Sequence, residues 1–331
     1  DFYAGLLAAQ PMGFWSPQTL VADARRHGVR VLPADVNASR EEACVRTRGQ
    51  EAGQGPCEEG DGDAGWEPLH PSPSALSPLE THPDLAVRLG LARLKGLGGR
   101  AAAAIVSERL AHGPYTDVAD LARRVRLNRR RLETLAAAGA LASLGVGRRQ
   151  ALWAAGALSG EHGRTTGEAE GPGRWYQPPL PGTAVGARAP HLPPMTDRER
   201  QAADLRLTGT STRGFPTAFV RPDLARSGVL PIAEAVRRGA GERVHVAGVV
   251  THRQRPGTAS GTVFLNLEDE TGLLNVVCSA GMWKRYSRVG RRASALVVRG
   301  LVESADGATS LVADRLQALG GIETAGSRDW C

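Results

Sequence analysis

The sequence predicts a multidomain α + β protein in which mainly helical segments precede a β domain. Apolar residues recur at helical spacing in residues 1–39 and 82–158, and they alternate with a period of two from about Glu242. Two stretches rich in Gly and Pro, residues 40–80 and 159–190, separate these parts. A chain of 331 residues is also long enough for two or three domains of about 100–200 residues each.

Composition narrows the classes of protein to be considered. The net charge of +7 favours a polyanionic partner. Only Lys95 and Lys284 among the 41 basic residues are lysines; guanidinium groups suit phosphate, although a GC-rich coding sequence gives the same bias. No apolar stretch reaches the ~18–20 residues of a membrane span and the start is not a signal peptide, so we expect a soluble cytoplasmic protein. The four cysteines lie far apart, which argues against structural zinc and a disulfide framework.

The first two segments differ in character. Residues 1–39 are helical in pattern, and Ser16 followed by Pro17 is a typical helix start. Because the chain begins at Asp1, inside an apolar helical pattern, we expect a piece of a longer protein. Residues 40–80 contain nine acids and three bases with many Gly and Pro, which predicts a disordered acidic insertion. The remainder of the chain then carries a charge of +13.

A glycine-rich turn, Lys95-Gly96-Leu97-Gly98-Gly99, lies between helical segments of residues 81–158. Glycines there allow positive φ and the close approach of another backbone, and the turn leads into a helix N-terminus whose free N–H groups attract phosphate. This is the helix-hairpin-helix pattern, in which Leu97 packs into the core. The candidate DNA-binding residues are Lys95, Gly96, Gly98, Gly99 and Arg100; an ordinary glycine-capped turn is the alternative.

An arginine-rich stretch follows, with arginine at six of the nine positions from Arg123 to Arg131. The first three close a helix, where cations interact favourably with the helix dipole and need no ligand. The last three follow the N-cap candidate Asn128 and occupy the first turn of the next helix, where positive charge is unfavourable unless an anion binds. The second candidate DNA-binding set is therefore Asn128, Arg129, Arg130 and Arg131, and solvated surface arginine is the alternative.

The rest of the chain divides into four segments. We expect a flexible linker at 159–190, a helical connector at 191–240, a β domain at 241–320 and a C-terminal tail at 321–331. The connector contains a capping box, in which Thr196 is the N-cap and Glu199 is at N3.

The β domain has the pattern of a five-stranded OB-fold barrel. Alternating strands are interrupted by Gly248 and Gly300, as bent barrel strands require, and a helix around Trp283 separates the third strand from the fourth. OB-folds commonly bind single strands. The candidate basic residues are His252, Arg253, Arg255, Lys284, Arg285 and Arg288. Phe264 and Trp283 are candidates for stacking on bases, although for each of them a core position is favoured.

No catalytic or metal site is expected in this chain. Asp61-Gly62-Asp63 has the spacing of a two-metal polymerase site, but it lies in the acidic insertion rather than on a rigid strand. The motifs of serine, cysteine and P-loop enzymes are also missing from the sequence.

The matching strings for a family resemblance are FYAGLLAAQPMGFWSPQTLVADARRHGV, LPADVNAS, LGLARLKGLGG, RRQALWAAGAL, LPPMT, VAGVVTHRQRPG, FLNLEDETGLLNVV and SRDW. In this order they resemble the C-terminal portion of a bacterial C-family DNA polymerase, the family of the replicative α subunit, and more closely its error-prone branch. The resemblance implies that residues 1–39 end the polymerase fingers, that 81–158 are a tandem helix-hairpin-helix region on duplex DNA, and that 241–320 lie near the template strand.

The resemblance also implies an activity for the intact protein. That activity is DNA-directed DNA synthesis in damage-induced mutagenesis and translesion synthesis, with Mg²⁺ and dNTPs as cofactor and substrates. In the family the palm, with its catalytic aspartates, precedes the point where this chain begins, so we expect the chain alone to be inactive and to need no cofactor. The implied partners are primer–template duplex and single-stranded template, with accessory mutagenesis proteins and, through them, the sliding clamp. The length of the 40–80 insertion and the final Cys331 depart from the family pattern.

Two other classes of function compete with this interpretation. One is a stand-alone, non-catalytic DNA-binding module. The other is an RNA-binding OB module, against which the hairpin turns argue because their contacts suit a duplex backbone.

Overall fold

The computed structural model describes residues 1–13, 15–47, 85–160, 189–305, 307–324 and 327–330, which fall into two compact units. The hairpin unit comprises residues 1–10, 30–47, 85–160 and 189–208. The barrel unit comprises the described residues of 11–29 and of 209–330. Most of the expected insertion and most of the expected linker lie outside the described residues.

The described helices, numbered along the chain, are α1 (Phe2–Ala8), α2 (Pro17–Arg26), α3 (Gly99–His112), α4 (Val118–Val125), α5 (Arg129–Ala137), α6 (Arg148–Gly160), α7 (Asp197–Thr208), α8 (Arg221–Arg226), α9 (Ile232–Val236) and α10 (Ala280–Arg292). The described strands are β1 (Arg30–Leu32), β2 (Cys44–Thr47), β3 (Leu85–Arg88), β4 (Arg243–Gln254), β5 (Val263–Glu268), β6 (Leu273–Cys278), β7 (Ala295–Ala305), β8 (Ala308–Ala318) and β9 (Arg328–Trp330). Within this part of the chain, no helix has the length and apolar character needed to cross a membrane.

The hairpin unit is built on the apolar faces of its helices, which bury Ile105, Leu121 and Leu135 completely. A small sheet accompanies them, with β3 between parallel β1 and antiparallel β2. Strand β2 lies within the segment that we expected to be disordered. The structure differs from that prediction here because β2 pairs with β3, and Val45 lies opposite Val87.

The predicted helix starts of the hairpin unit are present. The Asn128 side chain accepts a hydrogen bond from the Arg131 N–H (3.0 Å), so α5 begins where the sequence indicates. The capping box of α7 is also formed, because Glu199 accepts from the Thr196 N–H (2.8 Å) and Thr196 Oγ1 accepts from the Glu199 N–H (3.3 Å). Such side chains satisfy backbone donors that a helix end leaves unpaired.

Strands β4 to β8 form a closed five-stranded barrel in the order β5-β6-β8-β7-β4, with β4 returning to β5. The pair β6–β8 is parallel, and the other barrel pairs are antiparallel. Helix α10 follows the third barrel strand and precedes the fourth. This arrangement confirms the predicted OB-fold, and with the helices it confirms the predicted α + β class.

Glycine is required at two positions in the barrel strands where a neighbouring strand lies close. A Cβ atom on Gly248 would lie 2.8 Å from the carbonyl oxygen of Glu268, and one on Gly300 would lie 2.3 Å from that of Val312. Both distances are too short for any side chain. The sequence therefore identified two positions at which a neighbouring strand leaves no room for a side chain.

The C-terminal end of the described chain adds a strand to the barrel. Strand β9 runs parallel to β4 and pairs with it at His252, Arg253 and Gln254. Strand β7 pairs with β4 only as far as Val249, so β9 uses an edge of β4 that β7 leaves open.

Helix α2 belongs to the barrel unit, which differs from the expected division at residues 1–39. Thr19 Oγ1 donates to Glu268 Oε2 (2.8 Å), and Arg26 Nη1 donates to Glu268 Oε1 (3.2 Å). Glu268 is 0% exposed, and a buried carboxylate is stable only when it is paired. Its two partners therefore anchor α2. The expected connector 191–240 is likewise divided, after Thr208.

The turn between β5 and β6 anchors two more helices of the barrel unit. Asp269 Oδ2 accepts from the Ile232 N–H at the start of α9 (2.8 Å) and from Arg221 Nη2 of α8 (3.0 Å). Arg221 Nε also donates to Glu270. Burial, and then the neighbouring Glu270 charge, raises the pKa of Asp269 to about 6. The acidic turn is thus occupied by structural contacts.

Candidate nucleic-acid interface

The predicted glycine-rich turn has the geometry that the sequence indicates. Gly96 and Gly98 have φ angles of +97° and +81°, which other residues rarely adopt. Leu97 is 1% exposed and holds the turn against the core, as predicted. The Lys95 N–H donates to the Leu207 carbonyl (2.8 Å), which fixes the turn from α7. The turn is thus held from both sides, and its five predicted site residues, Lys95, Gly96, Gly98, Gly99 and Arg100, are exposed.

Helix α3 begins directly after this turn without a side-chain cap. Its N-cap is Gly98, and its first turn carries no acidic residue. The first N–H groups of a helix have no partner within the helix, and they lie at the positive end of the dipole. The N-terminus of α3 can therefore accept an anion such as a phosphate group.

The second predicted set lies at the N-terminus of α5. Asn128 is used as the cap, and Arg129 Nε donates to Glu133 Oε1 (2.7 Å), so one of the three arginine charges is paired. Within the described residues, Arg130 and Arg131 form no ion pair. Two guanidinium groups at the positive end of a helix thus have no carboxylate partner in the described part of the chain.

Two of the three arginines that close α4, which the sequence placed at the favourable end of the helix dipole, have carboxylate partners. Arg123 Nη2 donates to Asp120 Oδ1 (2.7 Å). Arg124 pairs with Glu108 (3.1 Å) and Asp120 (3.2 Å), and its guanidinium carbon lies 4.5 Å from the centroid of the Tyr115 ring. Arg124 therefore connects α4 to α3 through Glu108, whereas the Arg123 pair lies within α4.

A second glycine turn, between α5 and α6, was not among the predicted site residues. Gly139 and Gly145 have φ angles of +73° and +70°, and α6 begins at Arg148. Arg148 is paired with Asp204 of α7 (2.7 Å), with only about a tenth of each side chain exposed, and Arg149 with Glu199 (3.0 Å). The signal in the sequence was the glycine spacing in GALASLGVG.

Two of the barrel candidates are buried, which contradicts the prediction that they face DNA. Arg253 is 6% exposed; its Nε donates to the Gly290 carbonyl (2.8 Å), and its Nη atoms donate to Ala293 and Ser327. His252 is 3% exposed, and its ring lies edge-on to Trp15. Both side chains connect parts of the barrel unit, so they are not surface contacts for phosphate.

The remaining barrel candidates divide by exposure. Arg255, in the loop after β4, is exposed, and so are Lys284, Arg285 and Arg288 on α10. Phe264 is half-buried on β5. Trp283 is 7% exposed and belongs to the barrel core, so the core position favoured from the sequence is confirmed.

A metal site does not emerge from the described residues, since none of their His, Cys, Asp and Glu side chains cluster in groups of three or more that could hold an ion. Asp61 and Asp63 lie outside the described residues.

The geometry defines a protein with two nucleic-acid-binding folds. Residues 28–151 match a family described as the helix-hairpin-helix motif, and residues 244–319 match the OB-fold nucleic acid binding domain. Both matches agree with the architecture above.

The chain is also similar over nearly its whole length to proteins named error-prone DNA polymerase. The error-prone DNA polymerase of Nocardia farcinica is 45% identical over 326 residues, which are 96% of this chain and 24% of the relative. The error-prone DNA polymerase of Corynebacterium diphtheriae is 44% identical over 100% of this chain, and that of Mycobacterium tuberculosis is 43% identical over 99% of it. The matched part is 26% of each of these relatives. The predicted resemblance to error-prone DNA polymerases is confirmed. The chain spans about a quarter of the length of these relatives, consistent with a C-terminal portion.

Proposed function

We propose that this chain is the DNA-binding C-terminal part of an error-prone DNA polymerase, and that it holds primer–template duplex through the hairpin unit. The observation that carries the proposal is the exposed Lys95–Gly99 turn, which leads into the uncapped N-terminus of α3. Backbone N–H groups at such a position bind phosphate without reading bases. Arg130 and Arg131, which lack a carboxylate among the described residues, supply a second phosphate contact.

The barrel unit contacts the single-stranded template in this proposal. Its β5–β6 face and the loop after β4 form the region that OB-folds generally use, and these carry the half-buried Phe264 and the exposed Arg255. Lys284 and Arg285 add positive charge on α10.

The polymerase reaction belongs to the intact enzyme in this proposal. That enzyme extends a primer with dNTPs and Mg²⁺ as a cytoplasmic nucleotidyltransferase in damage-induced mutagenesis and translesion synthesis. Accessory mutagenesis proteins connect it to the sliding clamp. The chain alone binds DNA but does not extend a primer. A primer-extension assay with Mg²⁺ and dNTPs tests this, and extension by the chain alone would overturn it.

The duplex contact is tested with two matched glycine variants. Gly98 and Gly113 lie before and after α3, have φ of +81° and +80°, and would each carry a Cβ with no protein atom within 4 Å. Replacing either with Ala therefore imposes a similar backbone strain of about 1–3 kcal/mol. Only Gly98→Ala places a methyl group where the DNA backbone approaches.

Fluorescence anisotropy with a labelled 24-base-pair duplex measures the difference. We expect Gly98→Ala to weaken binding about tenfold and Gly113→Ala to bind like the wild type. Equal affinities for the two variants would contradict the turn as the contact. Tighter binding of a matched single-stranded RNA would instead favour the RNA-binding alternative.

A further inference from the structure

A pocket in the barrel unit lies on elements other than the β5–β6 face. It is lined by Arg285 and Tyr286 of α10, Arg299 of β7, and Asp314, Arg315 and Gln317 of β8, and its volume is about 490 Å³. We call it the β7–β8 pocket.

The pocket holds more positive charge than its own carboxylate neutralises. Arg299 faces Arg315 directly across the β7–β8 ladder, and like charges in that position repel. Asp314 Oδ1 accepts from Arg299 Nε (2.6 Å), and its Oδ2 accepts from Arg243 Nε (3.0 Å). One carboxylate is thus shared by two guanidinium groups. Arg285 and Arg315 form no ion pair with any residue that the structure describes.

This excess charge persists at neutral pH. Partial burial raises the pKa of Asp314, but its hydrogen bonds and charge interactions with Arg299 and Arg243 outweigh that effect and hold the pKa below its usual value. Asp314 therefore stays ionised, and the arginines remain charged under all ordinary conditions. An additional anion would neutralise the remaining positive charge of the pocket.

The shape and chemistry of the pocket favour one kind of anion. Small-molecule sites are mainly apolar and enclose their ligand, whereas Arg285, Arg315 and Gln317 are exposed and polar. Guanidinium groups match the oxygen atoms of a phosphate. The Tyr286 ring is half-buried, and the Arg285 guanidinium carbon lies over its face, 5.6 Å from the centroid. Bases stack on aromatic rings of this kind, so a base on this face would take the place of Arg285 while that side chain turns to the phosphate.

We propose that the β7–β8 pocket binds a backbone phosphate of a single nucleic-acid strand, with Arg285, Arg299 and Arg315 as donors and Tyr286 against a neighbouring base. The inference rests on the proposed single-strand role of the barrel unit. It adds a contact on the fourth and fifth barrel strands, outside the face that OB-folds generally use, and it gives Arg285 of α10 a specific phosphate to bind.

The first test removes the two unpaired charges with Arg285→Gln and Arg315→Gln together. Arg299 is left in place because it holds Asp314. The control combines Arg237→Gln and Arg291→Gln, two exposed arginines of the same unit outside the pocket lining. We expect the pocket variant to bind a fluorescein-labelled 20-mer of thymidylate about tenfold more weakly at constant salt, and the control to change by less than about twofold. The slope of log affinity against log salt should fall by about 0.7 when one phosphate fewer is bound.

The second test concerns the base contact. Tyr286→Phe keeps the ring, and Tyr286→Leu removes it while remaining apolar toward the barrel core, against which Tyr286 packs. We expect Tyr286→Leu to weaken binding of the thymidylate 20-mer at least about fivefold, the lower end of base–aromatic stacking, while Tyr286→Phe has no effect. Neither variant should alter binding of an abasic 20-mer. Thermal unfolding monitored by circular dichroism confirms that each variant is folded.

The outcomes separate this inference from the proposed function. Absence of DNA binding by the wild-type chain would overturn both. Wild-type binding to the thymidylate 20-mer, with equal effects of the pocket and control variants, would overturn the pocket alone. Competition by a glutamate 20-mer as strong as that by unlabelled thymidylate 20-mer would also overturn it, since the site would then suit an acidic peptide.

Discussion

The two helices of the hairpin unit that follow glycine turns, α3 and α6, differ in what surrounds their N-termini. The start of α3 has a glycine cap, no acidic neighbour in its first turn and an exposed Arg100. At the start of α6, the Gly147 N–H donates to Gln150 (3.2 Å), and Arg148 and Arg149 are paired with acids of α7. The N-terminus of α3 is therefore exposed and uncapped, whereas side chains of α6 and α7 make contacts at the start of α6.

The largest effect that we expect at the start of α6 is on the free energy of unfolding. Arg148→Ala leaves Asp204 as a nearly buried carboxylate without its ion pair and removes donors to the Ala137 and Arg200 carbonyls. Removing one partner of a buried pair costs about 3–5 kcal/mol of unfolding free energy. Urea denaturation followed by circular dichroism measures it.

Arg149→Ala is the control, because its pair with Glu199 is exposed, and its urea midpoint should stay near that of the wild type. If both variants unfolded at the wild-type midpoint, α6 and α7 would not be fastened by Arg148.

The next largest effect is on DNA affinity. It compares arginines that have no carboxylate partner among the described residues with arginines that have one. Arg130→Ala with Arg131→Ala removes two unpaired charges at the start of α5, so duplex binding should weaken, and its salt slope should fall by about 0.9 for each phosphate that is no longer bound. Anisotropy with a labelled duplex across a salt series measures both quantities. Arg149→Ala should leave the slope unchanged, because Arg149 is paired with Glu199. An equal decrease of the slope in that variant would show that paired and unpaired arginines contribute alike to DNA binding.

The smallest effect is one of pH. Hydrogen bonds from the Thr196 backbone and side chain, with the Arg149 charge, lower the pKa of Glu199 below its usual value. A lowered pKa means that the carboxylate is still ionised at pH 5 and is protonated only at more acidic pH, so Arg149 remains paired between pH 7 and 5. Duplex affinity should therefore change equally over this range in the wild type and in Glu199→Gln.

At each pH, Glu199→Gln should bind duplex slightly more tightly, because Arg149 is released. Anisotropy at pH 7 and pH 5 tests this. A gain in wild-type affinity at pH 5 that Glu199→Gln lacks would show that Glu199 had been protonated.

Local patterns were enough to predict many elements of the fold. Residues close to each other in sequence define the turn at Lys95–Gly99 and the cap at Asn128. Gly248 and Gly300 could be recognised because each interrupts the alternation of apolar residues within its own strand. The buried or exposed state of an arginine did not follow in the same way. Arg253 looks like any cation at the end of a strand, but its acceptors lie 37, 40 and 74 residues later in the chain.

Domain membership was the other feature that the sequence did not reveal. Helix α2 has an ordinary amphipathic pattern, and nothing within residues 1–39 shows that Glu268 accepts from Thr19 and Arg26. Contacts of this range depend on the completed barrel, which brings the end of β5 to the helix. The pairing of Arg148 and Arg149 after the second glycine turn could not be predicted either, because their partners are acids of α7 about 50 residues away.

The pairing of α2 with Glu268 has a consequence for the order in which the chain is completed on the ribosome. Arg26 and Glu268 are separated by 242 residues, which at about 5–20 residues per second represents roughly 10–50 s of synthesis. Throughout that interval α2 has been made, but its acceptor has not. The helix that fastens the barrel unit is therefore made well before the strand that carries its acceptor, so it can be packed only after that strand has been made.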